Sequence, residues 1–322
     1  MAGETGQNIP ATHLSAAQTR TLYQQLNLWL AKGLRPTFPW QSATSAYQVW
    51  VSEIMLQQTQ AHTVIPYYQR FITTFASLSD LASADLDQVL KLWSGLGYYS
   101  RARNLHKSAG ILQRDNGGRM PDQLSQLVAL PGIGPSTAGA ILALGFRKRG
   151  VILDSNVKRT LSRLFALEPD ASASRHTRRL WQLADYLTPE DGPESAKYAQ
   201  AIMNLGAIVC TPTAPRCSEC PLTGYCLSAK DGMFTANLQP SPPKPTQPRR
   251  RQQADWLILL DSQQRIWMQK RPPTGIWASL WTFPEYSQKP INPETTLSTE
   301  KILSPKESLS TEKILSPKKS LS

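Results

Sequence analysis

Cysteine is absent from almost all of this 322-residue chain, because its four cysteines lie together between residues 210 and 226. A disulfide framework would have to close two bridges inside one short loop, which is unusual for a chain without a secretory signal. The first residues lack the basic and apolar regions of such a signal, and no apolar run reaches the length of a membrane span. We therefore expect a soluble, cytoplasmic protein with reduced cysteines and no membrane partner.

The cysteine spacing, C-x6-C-x2-C-x5-C, is typical of a metal site. Structural zinc sites usually combine two close pairs of cysteines across a longer stretch, whereas here one C-x2-C pair is flanked by single cysteines. Four thiolates on short loops also enclose iron–sulfur clusters, and this spacing fits that alternative better. The sequence predicts a [4Fe–4S] cluster with the ligands Cys210, Cys217, Cys220 and Cys226.

Acidic residues are too few to balance the basic ones. The chain has 35 Lys and Arg against 23 Asp and Glu, a formal net charge of +12 and a pI of about 9.6. Such a balance indicates a polyanionic partner, although charge alone does not distinguish nucleic acid from an anionic lipid surface. Arg101, Arg103, Lys107 and the basic residues 147–149 favour DNA.

Glycine and aromatic residues are both absent from residue 287 onward, where the ten residues LSTEKILSPK at 297–306 recur at 309–318. A repeat of this kind has no core-forming pattern and predicts disorder. Before it, helical apolar spacing gives way to a proline-rich segment and then to short β-type runs. We expect a helical domain at 1–235, a linker at 236–253, an incomplete β-rich domain at 254–286 and a disordered tail at 287–322.

A short glycine-containing segment, Leu130-Pro-Gly-Ile-Gly-Pro135, lies between two helical patterns. Gly132 and Gly134 would let backbone N–H groups approach a phosphate, and the following helix would add its positive N-terminal dipole. The pattern predicts a helix-hairpin-helix element that binds DNA phosphates. An ordinary corner between two helices remains the alternative.

Two carboxylates stand in contrasting surroundings. Asp154 ends an apolar run just before a helical pattern, where it would cap the helix, and the helix N-terminus would lower its pKa. Glu53 has apolar neighbours, which would raise its pKa, although the polar face of a helix is the more ordinary place for it. One charged and one protonated carboxyl are what cleavage of a glycosidic bond requires.

Five ordered segments together resemble the MutY adenine DNA glycosylases of the helix-hairpin-helix superfamily. They are the cysteine loop and the segments SEIMLQQTQ, GLGYYSRARNLH, LPGIGPSTAGAI and ILDSNVKR. The resemblance implies a mainly helical, two-lobed glycosylase domain with a [4Fe–4S] loop, followed by a Nudix-like domain that is incomplete here. It implies a monomer that removes adenine paired with 8-oxoguanine or guanine in double-stranded DNA.

The resemblance also implies roles for individual residues. Glu53 would protonate adenine N7, Asp154 would stabilise the sugar cation, and Asn156 would orient Asp154. Further positions would contact the base or the DNA. Gln58 and Tyr98 would enter the base stack, Trp40, Leu56, Ser136 and Gln200 would contact the substrate, and Gly132, Gly134 and Lys158 would bind phosphates.

One position that discriminates within the superfamily and three departures from the family pattern lead to further expectations. Ser136 stands where the related lyases have a lysine; because serine cannot form an imine, a monofunctional glycosylase is expected. Ser155 replaces a usual glycine and would be strained at positive φ, and Asn204 replaces a usual acid. An incomplete Nudix-like domain would discriminate poorly between 8-oxoguanine and guanine. The alternatives are an endonuclease III-like bifunctional lyase and a non-catalytic DNA-binding protein.

Overall fold

The computed structural model describes residues 14–33, 38–43, 45–167, 172–230, 254–285 and 300–303. The chain divides into two compact units, residues 1–245 and 246–322. The described part of the first unit is helical, as the sequence predicts. Its helices are α1 Ala16–Ala31, α2 Ala46–Leu56, α3 Ala61–Thr74, α4 Leu78–Ser83, α5 Leu86–Trp93, α6 Ser100–Asp115, α7 Leu124–Val128, α8 Pro135–Ala140, α9 Ser155–Leu164, α10 Ala173–Leu187, α11 Gly192–Ile208 and α12 Leu227–Lys230.

These helices pack in two groups. In one, α2 contacts α3 and α6, while α6 also packs on α4 and α5; in the other, α9 contacts α10, α11 and α12, and α1 packs on α11. A π-helical turn, Ile141–Gly145, continues α8 and contacts both α2 and α11. The predicted two-lobed helical fold is confirmed, and the segment from α8 to the π-helical turn joins the lobes.

Helix α2 forms the centre of the first group because it is apolar on nearly every side. Trp50, Val51 and Met55 are completely or almost completely buried. Helices that are hydrophobic all round lie inside a domain rather than on its surface. Glu53 is therefore carried on a core helix.

The predicted hairpin is present between α7 and α8. Gly132 has φ +82°, and a Cβ at this position would lie 2.9 Å from Cβ of Asn104. Both the left-handed backbone and the close packing require glycine here. Gly134, by contrast, has ordinary φ and open space around it, and both glycines are exposed.

The described part of the second unit contains a small antiparallel sheet with the strand order β2-β1-β3. Its strands are β1 Ile266–Lys270, β2 Trp281–Thr282 and β3 Glu300–Leu303. Strand β3 lies in the first copy of the repeat and pairs with β1, so the expectation of disorder is wrong at these four residues. The linker at 236–253 and the rest of the tail lie outside the described residues.

Among the described helices, none combines the length and the apolar character needed to cross a membrane.

Candidate active site

A cleft of about 800 Å³ opens in the first unit and collects most of the residues predicted to act on the substrate. It is bounded by α2, the start of α9, α11 and a 3₁₀ turn at Pro39–Ser42. Seven predicted residues line it: Trp40, Glu53, Leu56, Gln58, Asp154, Asn156 and Gln200. Residues more than 100 positions apart in the sequence thus meet in one cavity large enough for a base and its sugar.

Glu53 lies on α2 with its carboxyl in the cleft. Burial by the surrounding protein raises the pKa of Glu53 to about 8, and the nearby charge of Asp154 contributes in the same direction. The side chain itself is half-buried rather than sealed off, since it lines the open cleft. The direction agrees with the prediction, and Glu53 holds its proton at neutral pH.

Asp154 caps α9 as predicted, and its Oδ1 accepts a 2.7 Å hydrogen bond from the N–H of Val157. The expected direction of its pKa is wrong, however. Burial raises the pKa of Asp154, and this outweighs the backbone hydrogen bonds and the charge of Arg159, which act to lower it. Those donors still favour the charged form of Asp154, so it is the better placed of the two carboxyls to ionise first.

Asn156 stands between Asp154 and the cysteine loop. Its Nδ2 lies 3.5 Å from Oδ2 of Asp154, and its Oδ1 accepts a 2.8 Å hydrogen bond from Nη2 of Arg159. Nη2 of Arg159 also donates to the carbonyl of Gly206 at 2.7 Å. Helix α11 lies close to Asn156 at Gly206, where an added Cβ would be only 2.7 Å from Cβ of Asn156. Arg159 was missed by the sequence analysis, although it lies one helical turn after Asn156.

The two residues predicted to enter the base stack face a second, smaller cavity, of about 210 Å³. Gln58 and Tyr98 both have left-handed backbone conformations, with φ of 56° and 48°. For residues other than glycine this conformation is uncommon and is maintained by surrounding contacts. Tyr98 is 58% exposed, so its ring is open to an incoming ligand.

Arg101 makes the contacts that maintain the backbone around Gln58 and Tyr98. Its Nη1 donates to the carbonyls of Met55 (2.7 Å) and Ile54 (3.1 Å), and its Nη2 donates to the carbonyl of Gly97 (3.1 Å). The guanidinium also lies 5.4 Å from the ring centroid of Tyr98. Because Arg101 is buried, its expected contribution to the DNA-binding charge is wrong; it holds the two loops instead.

The four cysteines are free and line one cavity together with Arg163. Nη1 of Arg163 lies 3.3 Å from Sγ of Cys210. Burial raises the pKa of Cys220 to about 11, so this thiol needs a nearby cation or metal to become a thiolate. Within the described residues, no three His, Cys, Asp or Glu side chains are gathered closely enough to hold a single metal ion. The donor set fits iron and sulfide.

Three family models match the chain: the HhH-GPD superfamily of base excision DNA repair proteins at residues 51–185, the iron–sulfur binding domain of endonuclease III at 210–226 and the NUDIX domain at 255–318. An adenine DNA glycosylase of Buchnera aphidicola subsp. Baizongia pistaciae is 39% identical over 269 residues, which cover 83% of this chain and 74% of the relative. This chain belongs to the adenine DNA glycosylase family. The adenine DNA glycosylase of Mus musculus is 47% identical over 184 residues, covering 56% of this chain and 35% of the relative.

A solved structure shares the helical fold of this chain. The structure of a thermostable thymine-DNA glycosylase superposes with a TM-score of 0.59 and 26% identity, covering 66% of this chain and 97% of the other. The predictions of the family, the helical fold and an iron–sulfur cofactor are confirmed. The match at 255–318 continues well beyond residue 286, where the sequence analysis ended the β-rich domain.

The roles of the two serines at positions 136 and 155 are explained by their structural surroundings. Ser136 does not line the cleft; its Oγ accepts a 2.9 Å hydrogen bond from the N–H of Leu153 and so fixes the segment that leads to Asp154. Ser155 is the first residue of α9 and is not among the described residues with positive φ, so the expected strain is wrong. Lys158 is exposed on α9, outside the cleft.

Proposed function

We propose that this chain hydrolyses the N-glycosidic bond of adenine paired with 8-oxoguanine or guanine in double-stranded DNA, and that it does so without strand cleavage. The observation that carries the proposal is the shared cleft of Glu53 and Asp154, in which the pKa of Glu53 is raised to about 8. The choice of adenine as the excised base follows the names of the relatives, which are adenine DNA glycosylases. The carboxyl pair supplies the chemistry.

In this mechanism Glu53 acts as the general acid. Its proton passes to N7 of the extruded adenine, and the base leaves with the electron pair of the glycosidic bond. The sugar then carries positive charge, which the carboxylate of Asp154 stabilises at close range. Glu53, now ionised, accepts a proton from the water that attacks the sugar, and this returns the site to its starting state.

Extrusion of the adenine costs about a few kcal/mol in lost stacking and base pairing, as for other enzymes that flip a base out of the duplex. The exposed ring of Tyr98 and the side chain of Gln58 are placed to fill the gap, because Arg101 holds both loops. The exposed glycines of the hairpin would contact the phosphates, and the net charge of +12 would attract the duplex. The four cysteines would hold the cluster, and their bonds to it would order the cysteine loop.

Strand cleavage would need an amine in the cleft to form a Schiff base with the sugar. Ser136 has no amine, and its hydroxyl is engaged by the backbone of Leu153. Lys197 lines the cleft, but its Nζ is 2.7 Å from Oε1 of Glu194 in an ion pair. These contacts favour a glycosylase without lyase activity.

The test is single-turnover excision on duplexes with one adenine opposite 8-oxoguanine or guanine, with and without alkali. Breaks that require alkali, and that fall at least ~100-fold in Glu53→Gln and Asp154→Asn, are expected from general-acid and cation-stabilising roles. Glu190→Gln and Asp115→Asn are matched controls, because both carboxylates are highly exposed. Breaks without alkali would indicate a lyase instead, and binding without excision would contradict the proposal.

A further inference from the structure

Two amide side chains lie one turn apart on α11, and both line the active-site cleft: Gln200 and Asn204. Nε2 of Gln200 donates a hydrogen bond of 3.1 Å to Oδ1 of Asn204. Because this bond turns Nε2 towards Asn204, it leaves the other end of the Gln200 amide for a bound base. With Nε2 engaged, that end is the acceptor Oε1.

The same bond leaves an unsatisfied group behind. Nδ2 of Asn204 is buried and has no hydrogen-bond partner in this arrangement. A buried donor without a partner is unfavourable, more so than an under-used carbonyl oxygen. The observed arrangement of the two amides is therefore not strongly preferred over others.

Rotation of both amide groups by half a turn gives the buried Nδ2 of Asn204 a hydrogen-bond partner. Nδ2 of Asn204 then donates to Oε1 of Gln200, and the buried donor is satisfied. The oxygen and nitrogen of an amide are nearly equal in size, so no backbone movement is required. In the rotated arrangement Gln200 offers its donor, Nε2, to the cleft.

The two arrangements suit different bases. Adenine carries an amino donor at its 6-position and needs an acceptor, whereas a 6-oxopurine such as hypoxanthine carries a carbonyl there and needs a donor. We propose that the Gln200–Asn204 pair adjusts to either base, so that the cleft accepts 6-oxopurines as well as adenine. This inference rests on the proposed glycosylase function, since Glu53 would act at N7, which both bases share.

An aspartate at position 204 would allow only one orientation of the Gln200 amide. An ionised carboxylate only accepts hydrogen bonds, so Gln200 would have to donate Nε2 to it and present Oε1. Leucine at the same position has a similar size and no polar atoms, and it would leave the Gln200 amide free to turn. The Asn204→Asp and Asn204→Leu variants therefore act in opposite ways on base selectivity.

The experiment measures single-turnover excision of adenine and of hypoxanthine, each opposite guanine in the same duplex, by the wild type and both variants. The hypoxanthine-to-adenine rate ratio is compared, because a new charge near Glu53 and Asp154 alters both rates together and cancels in the ratio. We expect Asn204→Asp to lower this ratio at least tenfold and Asn204→Leu to keep it near or above the wild-type value.

The other outcomes are separable. Wild-type excision of adenine with no detectable excision of hypoxanthine would overturn the inference and leave the glycosylase function standing. An unchanged ratio in Asn204→Asp, or an equal loss of the ratio in Asn204→Leu, would also overturn it, since polarity at 204 would then not set the choice. No excision of either base by the wild type would overturn both proposals.

Discussion

Arg159 donates a 2.8 Å hydrogen bond from Nε to the backbone carbonyl of Cys210, the first residue of the cysteine loop. Through Nη2 the same guanidinium reaches Asn156, which lies beside Asp154. The position of the Asp154 carboxylate is thus linked to the cysteine loop, although the two are far apart in the sequence.

Replacement of Arg159 should weaken this connection. In Arg159→Lys the charge is retained, but the planar set of donors to Asn156, Gly206 and Cys210 is lost. We expect excision to fall by about tenfold, in line with the loss of charge-assisted hydrogen bonds. Single-turnover rates, together with iron content per chain, provide the measurement. Lys158→Arg is the control on the same helix, and an unchanged rate in Arg159→Lys would contradict the role given to Arg159.

Excision should depend on pH through Glu53. The acid form is required, so the rate should be maintained near neutral pH and fall as the pH rises through about 8, the pKa of Glu53. Asp154 must be ionised, and its pKa is raised by burial, so a second decline is expected at acidic pH. A bell-shaped profile of single-turnover rate against pH would agree. A rate that is constant from neutral pH to well above 8 would exclude Glu53 as the acid.

Stability should change with pH in the same range. Glu53 binds its proton more tightly in the folded chain than in the unfolded one, so its contribution to stability is complete below the ordinary pKa of glutamate. That contribution is lost as the pH rises through about 8. Urea unfolding at several pH values should therefore show a smaller loss of stability between acidic and alkaline pH in Glu53→Gln than in the wild type.

Arg101 should be needed for extrusion of the base rather than for attraction of DNA. Arg101→Met would leave the buried carbonyls of Ile54 and Met55 without this donor. Each such group costs about 1–3 kcal/mol, so the melting temperature should fall. Fluorescence of 2-aminopurine placed beside the target adenine should report less unstacking at saturating protein. Arg114→Met, an exposed change on the same helix, should alter neither readout.

Gly206→Ala should separate α11 from α9. The added Cβ would lie 2.7 Å from Cβ of Asn156, so one of the two helices must move, at a cost of about 1–3 kcal/mol for such overpacking. The free energy of unfolding and the excision rate should both fall. Gly110→Ala is the matched control, because its helix position has open space, and alanine there should stabilise the chain by about 0.5–1 kcal/mol.

The sequence was sufficient for the features that depend on local pattern. The hairpin, the cap at Asp154, the cysteine loop and the helical domain all follow from residue type and spacing. It was insufficient where an effect depends on what surrounds a residue in space. The pKa of Asp154 is decided by burial from distant helices, which outweighs the local helix terminus.

Arg101 and Ser136 illustrate the same limit. An arginine in a basic segment indicates DNA contact by pattern, yet the carbonyls it binds belong to α2 and to the loop before α6. Ser136 binds the backbone of Leu153, 17 positions away. The sequence did not predict strand β3, because its four residues are too few to show a clear alternation of apolar and polar side chains.

The partner of β1 has a duplicate in the chain. Strand β3, Glu300–Leu303, has the sequence EKIL, and the same four residues recur at 312–315 within an identical ten-residue context. Because strand pairing reads backbone geometry and side-chain alternation, β1 has no basis on which to prefer one copy over the other. Removal of one 12-residue unit would therefore leave β1 with a partner segment of the same sequence.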